Sequence, residues 1–301
     1  MTCDDSHCLL ALDAGGTTIK VALVTQTGTM LPACFGEIPI MEHGNADALA
    51  ATFEQAASFG ASHAAARALC IDGIGVSIPG PFDYTAGISR MTHKYAAIRG
   101  LPIRPWLEKG VGKTLPIHFL HDSAAFLSGE TWSGAYVAYS RICGVIIGTG
   151  LGCASLLEGK IWENDCGGPG LSIYRRPYRE GTAEDFISKR GIMARYGGDL
   201  SVKEIAARAR DGQPEALRVW KDTGDMLGEI LAPLLAEYQF DCLVLGGQIA
   251  KAGELLRAPL AARLTQLGFT GAVRKAAQID EAPLLGAVRS LTKKITENAC
   301  I

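Results

Sequence analysis

Three glycine-bearing stretches each close an apolar run, and their composition suits the binding of an oxyanion. The first is Asp13-Ala14-Gly15-Gly16-Thr17-Thr18-Ile19-Lys20, at the end of the run Leu9 to Asp13. Positions without a side chain let backbone N–H groups approach an anion closely, and the threonine hydroxyls add donors. Asp13, just before the glycines, can hold Mg²⁺ through water. Taken alone, this stretch reads slightly better as an ordinary hairpin turn. The second, Gly148-Thr149-Gly150-Leu151-Gly152, follows the run Ile142 to Ile147. It lacks the Gly-Lys-Ser/Thr ending of a Walker loop. A strand rather than a helix follows it, which argues against a dinucleotide fingerprint. Gly112-Lys113-Thr114 has Leu107 where a Walker loop needs its first glycine. The third, Gly246-Gly247-Gln248, ends the run Cys242 to Leu245, and its bare backbone can admit an adenine ring. Three strand-ending glycine loops in this order point to a nucleotide held between two domains.

Asp122 follows the apolar strand Ile117 to Leu120 and His121, and precedes a helical stretch. A carboxylate there can accept a proton from a hydroxyl that attacks a γ-phosphate. A helix N-cap is the competing explanation, and without the loops it would be preferred. Glu184, in Gly181-Thr182-Ala183-Glu184-Asp185-Phe186, can accept hydrogen bonds from sugar hydroxyls or can serve helix-start electrostatics; the two readings stand even. His93, Lys94 and Tyr95 either line a sugar pocket or form a solvated loop.

Alternating strand and helix signals must position these groups. Leu9 to Asp13 and Lys20 to Thr25 form a hairpin around the first loop. Ala46 to Ala68 is helix-like with Gly60 as an interruption. Ile71 to Ile78 is a strand closed by Pro79-Gly80-Pro81, which cannot be helix. Pro102 to Lys109 reads as a short helix, and Ser123 to Ser133 as a helix carrying Glu130. Cys153 to Leu157 pairs back on Ile142 to Ile147. Helices follow at Ala183 to Lys189, Val202 to Arg210, Pro214 to Gln239 and Ala282 to Thr296. The hairpin at Leu9 to Thr25 is echoed at Ile142 to Leu157, as two similar α/β halves facing a cleft would require.

Composition bounds the function. The 301 residues suit one large domain or two moderate ones. With 29 basic and 31 acidic side chains, no basic excess exists to neutralise nucleic acid. No run of about 18 apolar residues offers a membrane span. The N-terminus carries Asp4 and Asp5 and does not read as a signal peptide, so a cytoplasmic protein is expected. Nine cysteines at wide spacings, several inside apolar runs, read as buried free thiols of a reducing compartment. Cys3, His7 and Cys8 make a poor metal site, since no second ligand pair has zinc spacing.

With these loops in hand, the sequence resembles the ROK family of bacterial sugar kinases and sugar-responsive repressors, from about Leu9 to about Val288. Leu-Ala-Leu-Asp-Ala-Gly-Gly-Thr-Thr-Ile-Lys (10–20) resembles the family's first phosphate loop, and Gly-Val-Ser-Ile-Pro-Gly-Pro (75–81) its sugar-side loop. His-Asp-Ser-Ala-Ala-Phe-Leu-Ser-Gly-Glu (121–130) resembles the stretch with the catalytic Asp, which falls on Asp122. Residues 147–152 resemble the second phosphate loop, 244–248 the adenosine loop, and 281–288 the start of the last helix. The resemblance implies an α/β protein with the two-domain actin-like ATPase (ribonuclease H-like) fold and a cleft between the domains. Family members typically carry Gly-Glu-x-Gly-His and then a cysteine cluster that binds structural zinc. Here the stretch reads Gly170-Leu171-Ser172-Ile173-Tyr174, and Arg175 to Gly181 holds no cysteine, so zinc is not expected. The Asn that normally precedes the catalytic Asp is His121.

The resemblance therefore implies ATP and Mg²⁺ on Asp13, Gly15, Gly16, Thr17, Thr18, Lys20, Gly148, Thr149, Gly150, Gly246, Gly247 and Gln248. It implies a sugar on Gly80, Pro81, His93, His121, Asp122 and Glu184, and a homodimer. The expected division is an N-terminal domain at 1–117, a C-terminal domain at 118–285, and a final helix at 286–301 packed back on the first. The expected activity is glucokinase-like transfer to O6 of a hexose. Alternatives are an N-acetylhexosamine kinase, a non-catalytic sugar sensor, and an acetate kinase or polyphosphate-cleaving relative. Polyphosphate could replace ATP on the same loops. A DNA-binding repressor is not expected, because only about eight residues precede the first strand.

Overall fold

The computed structural model of the chain describes residues 6–41, 43–92, 94–132 and 135–298. They form two units.

The first unit comprises Met1–Ala135, Glu163–Gly168 and Glu281–Ile301. Its chain order is β1 (His7–Ala14), β2 (Thr18–Val24), β3 (Met30–Pro39), α1 (Ala46–Ala65), β4 (Cys70–Ile78), the short strands β5 (Phe82–Asp83) and β6 (Ile88–Ser89), α2 (Arg104–Val111), β7 (Ile117–His121) and α3 (Asp122–Glu130). Five of the strands form one sheet in the order β3-β2-β1-β4-β7. The β1–β2–β3 ribbon is antiparallel, whereas β1, β4 and β7 run parallel.

Strand β1 is buried on both faces, so it reads as a continuous apolar run rather than an alternation. Cys8, Leu10 and Leu12 join the core with Phe53 and Ala57 of α1. Leu9 and Ala11 join Leu284, Leu285, Val288 and Leu291 of the last helix, Ala282–Asn298. Each fully buried Leu contributes about 1.5–3 kcal/mol relative to exposure. Gly60, expected as an interruption, lies inside α1, where an added Cβ would meet Leu10.

The last helix also packs on α3, and the approach is very close. A Cβ on Gly286 would lie 1.7 Å from the Ala125 carbonyl oxygen, and one on Gly129 would lie 1.9 Å from that of Ala282. Arg289 donates to the Ser128 carbonyl at 2.7 Å and to Thr131 Oγ1 at 3.0 Å, satisfying acceptors at the C-terminal end of α3.

The second unit comprises Tyr136–Trp162 and Pro169–Asp280. It runs β8 (Arg141–Ile147), β9 (Leu151–Leu157), β10 (Lys160–Ile161), β11 (Pro177–Tyr178), β12 (Gly181–Thr182), α4 (Ala183–Ile187), α5 (Lys189–Tyr196), α6 (Val202–Arg210), α7 (Pro214–Glu237), β13 (Cys242–Gly246), α8 (Glu254–Gln266) and β14 (Ala272–Lys275). Its sheet has the order β10-β9-β8-β13-β14, again an antiparallel ribbon on one side and parallel strands on the other. The echo read from the two hairpins is thus a shared strand order. Trp220 of α7, Leu256 and Leu260 of α8 and Leu243 of β13 lie in the core of this unit.

Several boundaries differ from expectation. The chain passes between units at 135/136 rather than at 117/118. The reason is that β7 hydrogen-bonds to β4 and α3 packs on the last helix, α9. The helix expected at Ala183 to Lys189 breaks at Ser188, which has extended backbone, and α5 restarts beyond it. Helix α3 ends at Glu130 rather than Ser133. Strand β3, helix α8 and strand β14 were not read from the sequence. Helix α8 carries Pro259, which usually argues against a helix interior.

Gly286→Ala should destabilise the first unit by about 1–3 kcal/mol, because its methyl group has no room against Ala125. A lowered urea midpoint checks this; an unchanged midpoint refutes the close α3–α9 contact.

Candidate active site

In the first unit the sheet register assembles the polar groups. Asp13 pairs with Ser77 across β1 and β4, and Ile78 pairs with His121 across β4 and β7. The ends of three parallel strands thus bring Asp13, Ser77 and the start of α3 to one sheet edge, the usual location of ligands in such sheets. Ser77, fully buried, donates to Asp13 Oδ1 at 2.7 Å.

The first glycine loop spans the turn between β1 and β2. Gly15 N–H donates to the Thr18 carbonyl at 2.9 Å, and Ile40 N–H donates to the Thr17 carbonyl at 2.9 Å. Tyr95 donates its hydroxyl to the Gly15 carbonyl. The tyrosine is fully buried, with its ring edge-on to Phe53. It therefore neither lines a pocket nor sits in a solvated loop, the two readings made from sequence; it anchors the first glycine loop. Lys20 stands opposite Asp13 in the β1–β2 ladder. His93 lies outside the described residues.

Asp122 is the first residue of α3, and His121 is the N-cap. Ser123 N–H donates to Asp122 Oδ1 at 2.6 Å and to His121 Nδ1 at 3.2 Å. His121 Nδ1 lies 2.9 Å from Asp122 Oδ1 and 2.8 Å from Ser123 Oγ. With Nδ1 unprotonated, the imidazole accepts from the helix N–H; once protonated, it donates to the carboxylate. The Asp122 side chain is 49% exposed. The part of it that is withdrawn from water raises its pKa, but the charge and hydrogen bond of His121, the Ser123 N–H and Lys94 outweigh this, and the carboxyl stays below its usual range. Asp13 moves the other way. Burial pushes it up to about 6, aided by the charge of Asp122 and opposed by Ser77 and Lys20.

Gly80 sits beside Tyr84 and His121; a Cβ there would lie 3.1 Å from Tyr84 Oη and 3.3 Å from His121 Cδ2. Pro81 is exposed, and its carbonyl accepts from Arg90 N–H at 3.1 Å.

In the second unit, loops two and three share a sheet edge. Ile146 of β8 pairs with Gly246 of β13. Gly247 has φ +80°, and a Cβ there would lie 2.3 Å from the Ile147 carbonyl oxygen, so glycine is required. Gln248, read as a nucleotide contact, donates its amide to Asp280 at 2.8 Å, and Lys251 bridges to the same carboxylate at 2.8 Å. The second loop, Gly148 to Gly150, joins β8 to β9. Gly148 N–H donates to the Gly150 carbonyl at 2.9 Å. Glu184, in the first turn of α4, accepts from Leu151 N–H at 2.9 Å. Helix α4 is capped by Thr182 and Asp185.

The stretch Gly170-Leu171-Ser172-Ile173-Tyr174 turns inward. Leu171 and Ile173 are buried in the core of the second unit, and a Cβ on Gly170 would overlap the Trp162 ring. The β11–β12 hairpin that follows is tied to α7 by Tyr178, whose hydroxyl donates to Glu229 at 2.5 Å; Arg263 of α8 bridges the same carboxylate at 2.8 Å. Sequence reasoning missed Ser77 as a partner and Tyr95 as an anchor. The one signal for Ser77 was a hydroxyl inside an otherwise apolar strand.

Two α/β units with matching strand orders, each with glycine turns at one sheet edge, define the architecture of the actin-like sugar kinases. The ROK family glucokinase from Streptomyces griseus, solved in complex with glucose and AMPPNP, superposes with a TM-score of 0.76 at 20% identity, covering 95% of this chain and 99% of that one. A ROK family transcriptional regulator, a homologue of the E. coli MLC protein, gives 0.84 at 18% identity, covering 96% of this chain and 79% of that one. The glucokinase of Thermotoga maritima is 24% identical over 319 residues, covering 95% of this chain and 98% of that protein. The N-acetyl-D-glucosamine kinase of Pectobacterium carotovorum is 25% identical over 240 residues, 71% of this chain and 78% of that protein. The ROK family model matches residues 9–294, and the chain belongs to that family.

The raised Asp13 pKa has a consequence for stability. A carboxyl whose folded pKa lies above its unfolded value contributes stability that is present below the unfolded pKa and lost as pH rises through about 6. Asp13→Asn keeps an acceptor for Ser77 and cannot ionise. In metal- and nucleotide-free protein it should be more stable than the unsubstituted chain at pH 8, by roughly 1–3 kcal/mol. The gap should close as pH is lowered toward 4. Urea denaturation across that range measures it, and a pH-independent difference contradicts the burial of Asp13.

Proposed function

We propose that the chain is an ATP-dependent sugar kinase that phosphorylates a hexose hydroxyl, the primary one at O6, with Asp122 as the base. The observation that carries this reading is the unlike pair at the edge of the first sheet. Asp122 is ionised below the usual carboxylate range, while Asp13 is pushed up to about 6. Carboxylates whose surroundings push their pKa values apart are suited to separate roles.

Asp122 accepts the hydroxyl proton as the sugar oxygen bonds to the γ-phosphorus. The bond from phosphorus to the β,γ-bridging oxygen breaks, and ADP leaves with that electron pair. His121, once protonated, donates to Asp122 and holds it ionised until the proton arrives. Backbone donors of Gly16 and Thr17 in the first unit, and of Thr149 and Gly150 in the second, would face phosphate oxygens; Gly246 and Gly247 would face the adenosine. The residues fit Mg²⁺: Asp13 is a half-buried carboxylate that feels a second negative group, Asp122, a setting that a divalent cation relieves. Asp13 would hold the ion, directly or through water, and the ion would neutralise phosphate charge when bound. A cytoplasmic homodimer belongs to the same reading.

The sugar class spans hexoses and N-acetylhexosamines, since the relatives carry both names. A second reading, a non-catalytic sugar-binding regulator, draws on the apolar Leu171 and Ile173, buried in the stretch where family kinases typically carry sugar-binding groups.

The deciding experiment is ADP release with ATP–Mg²⁺ across hexoses and N-acetylhexosamines, run beside Asp122→Ala. Sugar-dependent release should fall about 10²–10⁴-fold in the variant, with AMPPNP affinity retained. Sugar binding without ADP release in the unsubstituted protein favours the regulator.

A further inference from the structure

The second unit holds a cavity of about 600 Å³ walled by the β11–β12 turn, α4, α5 and α7. Sites for small molecules fall in this size range. None of the lining residues belongs to the three glycine loops or to the sheet edge that carries Asp13 and Asp122.

Most of the charge on the cavity wall is already paired. Asp185 is bridged by Arg190 at 2.6 Å and Asp225 by Lys221 at 2.5 Å. Glu229 is bridged by Arg263 at 2.8 Å and accepts from the Tyr178 hydroxyl at 2.5 Å. Arg195 and Asp222, of opposite sign, are not paired. The half-buried Arg195 donates to Thr223 Oγ1 at 2.9 Å and to the Phe186 carbonyl at 2.6 Å. Both acceptors are neutral, and among the described residues no carboxylate bridges this guanidinium. Asp222 has no hydrogen-bond or ion-pair partner among the described residues. Burial works against the charge on Arg195, and the Asp222 carboxylate works in its favour. A charge withdrawn from water is costly until something pairs it. Arg179, between the paired Tyr178 and Gly181, has φ +51°, a left-handed backbone for which glycine is the easier occupant. The arginine there stands 3.9 Å from Glu229 and puts a second guanidinium on the cavity wall.

We propose that this cavity binds a free α-amino acid, with its carboxylate on Arg195 and Arg179, its ammonium on Asp222 and its side chain against Phe186 and Met226. An unspent cation and an unspent anion on one wall have a zwitterion as their complement. A simple anion would be repelled by Asp222, and a simple cation would leave Arg195 unpaired. Guanidinium and carboxylate match each other in shape as well as in charge. Phe186 and Met226 add apolar contact, and methionine adapts to side chains of several shapes. The proposal does not rest on the kinase reading, because the cavity shares no residue with the candidate active site.

The test is calorimetric titration of the whole chain with leucine, methionine and phenylalanine in turn. Hydrocinnamate, which is phenylalanine without its amino group, is titrated beside them. At least one of the amino acids should bind with a Kd below about 1 mM. Asp222→Asn loses no bond within the fold, and it should weaken that binding about tenfold, the effect of one charge-assisted bond. Hydrocinnamate should bind less tightly than phenylalanine, and Asp222→Asn should not weaken it further, since the group that Asp222 meets is missing. Arg195→Gln should abolish binding; if that variant does not fold, Asp222→Asn and hydrocinnamate decide. No binding of any of the three amino acids up to about 10 mM overturns the proposal, and a second copy of the chain seated on this face would give that result. Equal affinity in Asp222→Asn and the unsubstituted protein overturns it as well.

Discussion

A turn can offer N–H groups to a phosphate only if they are not already bonded within the chain, and it keeps one shape only if its other polar groups are. Both glycine hairpins obey this constraint. In the first, Gly15 N–H, Gly15 carbonyl and Thr17 carbonyl are taken by Thr18, Tyr95 and Ile40. In the second, Gly148 N–H, Gly148 carbonyl and Leu151 N–H are taken by Gly150, Lys189 and Glu184. Glycine allows the close approach, but glycine also maximises the backbone freedom to be removed. The surrounding side chains and strands supply the rigidity that the loop residues cannot. Preorganised donors of this kind need no reorganisation when charge develops, which is what makes them effective.

The same logic explains what could be read from the sequence. Glycine turns at the ends of apolar runs, and an Asp between a strand and a helix, are local patterns, and each falls where expected. The α/β alternation and the two hairpins are local as well. The anchors are not. Tyr95 reaches Gly15 across 80 positions and Ser77 reaches Asp13 across 64. Tyr95 carries no local mark of its role, and Ser77 carries only a hydroxyl among apolar strand residues. The division into units was misplaced for a related reason. Residues 118–135 follow the first sheet because β7 pairs with β4 and because α9, more than 150 positions later, packs on α3. Strand β3 sits at the sheet edge with eight of its ten residues exposed or partly so, and its Gly, Pro and Glu weaken any strand pattern. Helix α8 is stabilised by packing on α7 despite Pro259.

Helix α9 packs against both the strand that carries Asp13 and the helix that starts at Asp122. It covers the face of β1 opposite α1 and, through Gly286 and Gly129, lets α3 approach within backbone contact. Arg289 then closes the C-terminal end of α3, so the helix that starts at Asp122 is fixed at both ends. A base has to be placed to within a fraction of an ångström to be useful. An exposed carboxylate on a loop would not meet that demand; one on the first turn of a clamped helix does.

The electrostatics of the first sheet edge complete the picture. Desolvation raises a carboxylate pKa and nearby cations lower it, so two Asp residues at one edge can be driven apart without any change in their chemistry. Asp122 has His121, Lys94 and a helix N–H on its side; Asp13 has Ser77 and the charge of Lys20 against its burial. The position filled by His121 thus carries two functions at once, the cap of α3 and the partner of Asp122. Because its imidazole can accept from Ser123 or donate to Asp122, but not both through one nitrogen, helix capping and the bond to Asp122 are alternatives. An amide side chain at that position could not switch between them by gaining a proton. On the kinase reading, this makes the departure at His121 a change in the chemistry of the base as well as in the shape of the sugar site.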